Sequence, residues 1–258
     1  MSQDHQLNIK TFIFNSFREN CYLLWDAVGN CVIVDPGCYW PEEFARLREF
    51  IAAEGLTPKA VWLTHGHFDH VHGVLKVVGE YSVPVLMSPD DKIVLDNNQA
   101  AVRDFGLLAP DSSQIQTVDI SDGEVLDTLQ GAPFKVITTP GHTPGCVCYY
   151  GEADKVLLSG DTLFAGAIGR TDHLGGDYDR EIISVMDKLM GLPGDVDVLP
   201  GHGHRTTIAN ERTQNPFLQP FNEPEEDIDW DGDGVLSWMM TSRLRAISST
   251  SLNLWARK

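Results

Sequence analysis

The sequence predicts an α/β protein in which two mixed β-sheets pack together with helices on the outside. Short apolar runs bounded by turn residues dominate its N-terminal third. Helices then alternate with strands, and the whole pattern occurs roughly twice along the chain, without a sequence repeat strong enough to mark a duplication. The side chains best suited to hold a metal fall in turns that follow predicted strands.

The first strands are read at Thr11–Phe14, Cys21–Trp25 and Cys31–Val34, the third ended by Asp35-Pro36-Gly37. A helix follows, with Pro41 suited to its first position, Glu42 and Glu43 at the positive end of its dipole, an apolar stripe of Phe44, Leu47 and Ile51, and Gly55 as its stop. Ala60–Leu63 reads as a buried strand and Val71–Val78 as a helix. Val83–Met87 is a strand, and Ser88-Pro89-Asp90-Asp91 opens another helix with a cap, a proline and two acids. Further strands are expected at Glu124–Leu129, Phe134–Thr138, Val147–Tyr150, Lys155–Ser159 and Val196–Leu199. Tyr178–Met190 reads as an amphipathic helix with Ile182, Ile183, Met186 and Leu189 inward.

A chain of 258 residues, 42% hydrophobic and 22% charged, suits one large globular domain with or without an appendage. The division expected is a domain over residues 1–222 and an appendage over 223–258. Residues 223–233 hold seven acids, whereas residues 234–258 hold four basic residues and no acid. Asp227-x-Asp229-x-Asp231-Gly232 resembles the start of an EF-hand calcium loop, but Trp238 stands where the twelfth position needs glutamate, so an acidic solvated linker is the better reading. The basic tail would fold back on the acidic body or reach a neighbouring subunit, which leaves a homodimer open.

A net charge of −18 argues against a nucleic-acid partner. No apolar run approaches a membrane span, and the polar first ten residues lack a signal-peptide core, so the protein is read as cytoplasmic. The five cysteines form no Cys-x-x-Cys pair and are read as structural thiols.

The motif His65-x-His67-x-Asp69-His70 sets four metal-capable side chains within six residues. Imidazole and carboxylate suit zinc, iron or manganese. On a helix His65 and His67 would diverge by about 100° per residue, whereas a strand-to-helix turn lets them converge. One lone histidine would be an ordinary solvated residue; three with an aspartate at this spacing point to a metal. His142 in Thr139-Pro140-Gly141-His142-Thr143-Pro144-Gly145, Asp161 in Ser159-Gly160-Asp161-Thr162 and His202 in Pro200-Gly201-His202-Gly203 each follow a predicted strand, bringing the candidates to seven.

Together these motifs, from about Phe12 to Phe221, resemble the metallo-β-lactamase superfamily, nearest its glyoxalase II-like (hydroxyacylglutathione hydrolase-like) branch. The resemblance implies an αββα sandwich with the site at one edge of the sheets. It implies one metal on His65, His67 and His142, a second on Asp69, His70 and His202, and Asp161 bridging them. Asp35, in Val34-Asp35-Pro36-Gly37, would stand behind the ligands. The implied cofactors are two divalent metal ions, zinc first, with iron or manganese as alternatives. The implied reaction is hydrolysis of a small-molecule thioester by a metal-bridging hydroxide, with Asp69 also accepting a hydrogen bond from that hydroxide. A thiolate, from a thiol of pKa about 8.5, leaves without a general acid, and no dedicated acid stands out here. Asp161, where metallo-β-lactamases often carry cysteine, argues against β-lactams as substrates.

Arg170 matches a basic residue that contacts glutathione in glyoxalase II, and His173 lies in the same glycine-rich loop, as a substrate contact or a structural residue. Asp172 stands where that pattern has a tyrosine, and an acidic segment replaces the helical C-terminal domain, so the thiol carrier is left open. Of the other histidines, His72 is read as lying behind the site or on the surface, His204 as lining the rim, and His5 as outside the fold. Three rivals follow from the same resemblance. One is a persulfide dioxygenase with a single iron on His65, His67, His142 and Asp161. The others are a non-enzymatic metal-binding protein and a nuclease.

Overall fold

The computed structural model describes residues 7–219. His5, the aspartate-rich pattern, the basic tail and the boundary at residue 222 lie outside them.

The first sheet holds β1 (Asn8–Phe14), β2 (Glu19–Trp25), β3 (Asn30–Val34), β4 (Thr57–Trp62), β5 (Val85–Met87) and β6 (Thr117–Asp119) in that order. Its first three strands are antiparallel and the rest join in parallel. The second sheet has β7 (Val125–Leu126), β8 (Phe134–Thr138), β9 (Val147–Gly151), β10 (Val156–Gly160), β13 (Asp197–Pro200) and β14 (Thr206–Thr207). Only its β10–β13 pair is parallel. A small hairpin, β11 (Leu163–Phe164) and β12 (Ala167–Ile168), follows β10.

Period-two alternation builds the layers. Tyr22, Leu24, Val32, Val34 and Trp62 of the first sheet cluster with Phe134, Val136, Tyr149 and Leu158 of the second, and this is the inter-sheet core. Trp62 is fully buried there, stacked on Tyr149 and edge-on to Phe134. The alternate residues Cys21, Leu23, Cys31 and Ile33 face outward and pack with Leu47 and Ile51 of α1 (Pro41–Ala53) and Val74 and Val77 of α3 (Val74–Tyr81). Gly55, at φ +65°, lies just beyond the α1 cap and ends that helix as expected. On the far side, Cys148, Tyr150 and Leu157 pack with Ile182, Val185 and Leu189. The result is helix, sheet, sheet, helix. All five cysteines are free and buried.

Three elements depart from the sequence reading. The expected strand Glu124–Leu129 shrinks to β7, because the chain turns toward Asp26, whose Oδ2 accepts from the Gln130 N–H (2.8 Å). The helix after the histidine motif splits into α2 (Phe68–Val71) and α3, with the Gly73 N–H drawn to the Pro36 carbonyl at the break (2.7 Å). The long helix expected at Tyr178–Met190 is α5 (Tyr178–Ile183) followed by a π-helical turn over Ser184–Leu189, closed by Met190 N–H to the Val185 carbonyl (2.9 Å). Ile182, Val185 and Leu189 are buried with Met186 packed against them, whereas Ile183, expected inward, is 56% exposed because it lies about 100° round the helix from Ile182. The helix opened by Ser88 begins as a single 3₁₀ turn, Pro89–Asp91, and continues as α4 (Lys92–Ala101). The last helix, α6 (Ile208–Gln214), follows β14. Among the described residues no helix is long and apolar enough to cross a membrane.

Candidate metal centre

Strand direction decides where the donors meet. β3 runs parallel to β4, and β10 to β13; β8 shares the direction of β10 because β9 opposes both. Asp35 follows β3, His65 and His67 follow β4, His142 lies in the β8–β9 turn, Asp161 follows β10 and His202 follows β13. Asp69 and His70 sit in the short helix α2. Hydrogen bonds across the sheets join these ends. Tyr149 Oη donates to the Leu63 carbonyl (2.8 Å), and the Val147 N–H to the Thr64 carbonyl (2.9 Å). In return, Tyr22 Oη and Asn20 Nδ2 donate to the Pro200 carbonyl at 2.7 and 2.9 Å, fixing the turn that carries His202. Gly201 has to be glycine: a Cβ there would lie 2.2 Å from Asp161 Oδ1.

The seven candidates converge as two trios around Asp161. The donor atoms of His65, His67 and His142 lie within 4.8 Å of one another, and so do those of Asp69, His70 and His202. His67 Nδ1 is 3.0 Å from His142 Nε2. In the second trio, His202 Nε2 is 3.3 Å from both His70 Nε2 and Asp69 Oδ2. Asp161 reaches both groups, with Oδ2 at 3.6 Å from His142 Nε2 and 3.5 Å from His202 Nε2, and Oδ1 at 3.4 Å from His70 Nε2.

The donor set fits cations. His70 Nδ1 is held by Asp35 Oδ2 (3.0 Å), His142 Nδ1 donates to the Arg170 carbonyl (2.7 Å), and His202 Nδ1 donates to the Phe17 carbonyl (3.1 Å). With each proton held behind the ring, the Nε2 lone pairs aim inward. Two such lone pairs facing each other across 3.3 Å, on His70 and His202, repel unless positive charge lies among them. His65 Nε2 is buried without a hydrogen-bond partner. The two clusters thus fit a dinuclear metal site.

The trios differ in charge. Burial pushes His65 and His67 well below the ordinary imidazole range and His142 down to about 4. Burial acts the same way on His70 and His202, but the neighbouring Asp161 and Asp69 carboxylates outweigh it and raise both. For Asp69, burial works upward, but His70 and His202 overcome it and bring the carboxyl to about 2.

Three buried acids support the donors from behind. Asp35, in the left-handed region at φ +48°, turns its carboxylate under the histidine loop. There it accepts from the Thr64 N–H (2.8 Å) and Thr64 Oγ1 (2.6 Å) as well as holding His70, while Thr64 Oγ1 touches His65 Nδ1 (3.0 Å). Asp91 accepts from the Gly66 N–H and from the Gly145 N–H (2.8 Å), joining the His65–His67 loop to the His142 turn. Glu181 accepts from the His142 N–H (2.7 Å) and the Gly169 N–H (3.2 Å). Sequence reading missed the last two. Asp91 resembles any acid at a helix start and Glu181 any acid on a helix, because their partners are backbone N–H groups far along the chain.

His173 borders the first trio, its ring centroid 4.6 Å from that of His67 and 4.7 Å from that of His142. The Arg170 side chain is 70% exposed and pairs with Asp172 through two hydrogen bonds of 2.7 and 3.1 Å, so its carbonyl, not its guanidinium, touches the centre. His72 is buried against Tyr39 and Phe68 and joins neither trio, and His204 is exposed.

Residues 16–202 match the metallo-beta-lactamase superfamily. The chain belongs to that superfamily. It is 37% identical over 213 residues to hydroxyacylglutathione hydrolase GloC of Haemophilus influenzae, covering 82% of this chain and 98% of the relative. Among solved structures it is similar to the BLEG-1 B3 metallo-beta-lactamase, with a TM-score of 0.74 and 34% identity over 82% of this chain and 99% of the other. It is also similar to TTHA1623 in a di-iron-bound form, with a TM-score of 0.73 and 35% identity over 81% of this chain and all of the other, 100%.

Proposed function

We propose that the chain is a binuclear metal-dependent hydrolase that cleaves a thioester of the hydroxyacyl-thiol kind. The observation that carries this reading is the meeting of two complete donor trios at one carboxylate, Asp161. His65, His67 and His142 would hold one ion, Asp69, His70 and His202 the other. Zinc is our first assignment, with iron next because a similar structure binds two irons and manganese after it. Such ions supply hydroxide at neutral pH and polarise a carbonyl.

The chain's own residues supply the rest. Asp69, ionised at neutral pH, can accept a hydrogen bond from the attacking oxygen and hold it toward the scissile carbonyl. Asp35, Asp91 and Glu181 turn their carboxyl oxygens to backbone N–H groups behind the donors, so none of these three is aimed at a departing amine. That favours a leaving group which needs no acid, and a thiol of pKa about 8.5 is one. His173 and Arg170 at the rim would meet the thiol carrier. The likeness to GloC makes glutathione the first carrier to test. In this reading residues 1–222 form the hydrolase unit and 223–258 an acidic linker with a basic tail. The enzyme works in the cytoplasm on a small molecule, without nucleic acid or membrane.

The test is free-thiol release from S-D-lactoylglutathione by protein reconstituted with zinc, iron or manganese, with His67→Ala as the control. Release that vanishes in the variant supports the reading. No release with any metal, together with oxygen uptake on glutathione persulfide or opening of a β-lactam, would replace it.

A further inference from the structure

Glu181 is fully buried, and the chemistry above gives it no part. It lies on the face of α5 and the following turn that meets the His142 loop at three points. The Asp177 N–H donates to the Gly141 carbonyl (2.8 Å), Glu181 Oε2 accepts from the His142 N–H (2.7 Å), and Ser184 Oγ donates to the Pro140 carbonyl (2.7 Å). Residues four and three apart share one helical face. Gly141 permits the approach, since a Cβ there would lie 2.3 Å from Glu181 Cα.

The second oxygen gives the contact its specificity. Glu181 Oε1 accepts from the Gly169 N–H (3.2 Å), and the next residue, Arg170, lends its carbonyl to His142 Nδ1 (2.7 Å). One carboxyl group therefore anchors the main chain of His142 directly and its ring through Gly169 and Arg170. The second trio is braced by other groups: Asp35 on His70, the Phe17 carbonyl on His202, and Asn20 on the Pro200 carbonyl.

We propose that Glu181 is a positioning residue for one half of the centre: it sets cation affinity at His65, His67 and His142 and leaves Asp69, His70 and His202 alone. The proposal rests on the binuclear reading. The expected effect is that of removing a partner behind a metal-bound imidazole, about 10–100-fold in affinity.

The test is titration with cobalt(II) alone, followed by visible absorption, in two single-trio backgrounds. His202→Ala leaves the first trio complete and His67→Ala the second. Glu181→Gln keeps the shape and one acceptor oxygen but sets an amide NH₂ against a backbone N–H. It should weaken cobalt binding about 10–100-fold in the His202→Ala background and less than about twofold in the His67→Ala background. Glu181→Ala should do more in the first and no more in the second. Thermal unfolding of the metal-free proteins, run in parallel, reports general loosening. Equal weakening in both backgrounds, or in neither, overturns the proposal. A chain that binds a single cobalt ion without either background substitution contradicts the binuclear reading. Glu181 is then judged by that ion, and affinity unchanged in Glu181→Gln overturns its role.

Discussion

The two trios that meet at Asp161 are built from opposite electrostatic materials. His65, His67 and His142 are all imidazoles, and burial keeps them neutral with lone pairs available. Asp69, His70 and His202 include a carboxylate, and Asp161 and Asp69 hold both imidazoles toward the protonated form. The difference teaches that the carboxylates gathered in the second half favour protons on its imidazoles, so a cation there competes with protons more than it does in the first half.

The largest effects should come from removing one donor from each half. His67→Ala and His202→Ala should each lose one ion per chain, read by metal analysis. Each should reduce hydrolysis by more than the about 10–100-fold typical of merely supporting residues. Full turnover in His202→Ala with one ion bound would show that the second half is dispensable.

Asp35→Asn sharpens the contrast. It disturbs the group that holds His70 Nδ1 and should weaken the second ion about 10–100-fold in a metal titration. Because Asp35 also holds Thr64 behind His65, a smaller change in the first ion is expected, and equal losses would blur the division.

Acid should separate the halves without mutation. A proton on Nε2 competes with the cation, and the raised histidines, His70 and His202, take that proton at higher pH than the lowered ones. As pH falls, the second trio should release its ion first, with affinity dropping about tenfold per pH unit for each proton taken up. The first trio should hold until pH nears the value of about 4 for His142. Metal content measured after dialysis at stepped pH checks the order, and loss from the first trio first would reverse it.

The smallest effect belongs to Arg170. Its guanidinium is exposed and already paired with Asp172. Arg170→Ala should raise KM roughly fivefold, for about 1 kcal/mol, with less change in kcat. A larger loss in kcat would move Arg170 into the chemistry.

The convergence of the seven candidate donors was legible because five follow a strand within a few residues and Asp69 and His70 follow in the same short motif, where short-range spacing and glycine-proline turns leave a mark. The buried strands Cys21–Trp25 and Cys31–Val34 were legible from runs of apolar residues. The supporting acids were not. Glu181 reaches His142 across 39 positions and Asp91 reaches Gly145 across 54, through backbone N–H groups that every sequence shares. Two-residue strands such as Leu163–Phe164 and Thr206–Thr207 are too short to show alternation. The π-helical turn over Ser184–Leu189 escaped because Ile182, Val185 and Leu189 keep α-helical spacing through it, and only the backbone bond from the Met190 N–H to the Val185 carbonyl marks the change.

The most direct measurement is thiol release from S-D-lactoylglutathione as metal-free protein receives increasing equivalents of zinc. Two cooperating halves predict little turnover up to one equivalent and a rise that ends at two. Full activity at one equivalent would contradict a binuclear hydrolase, as would no thiol release at two.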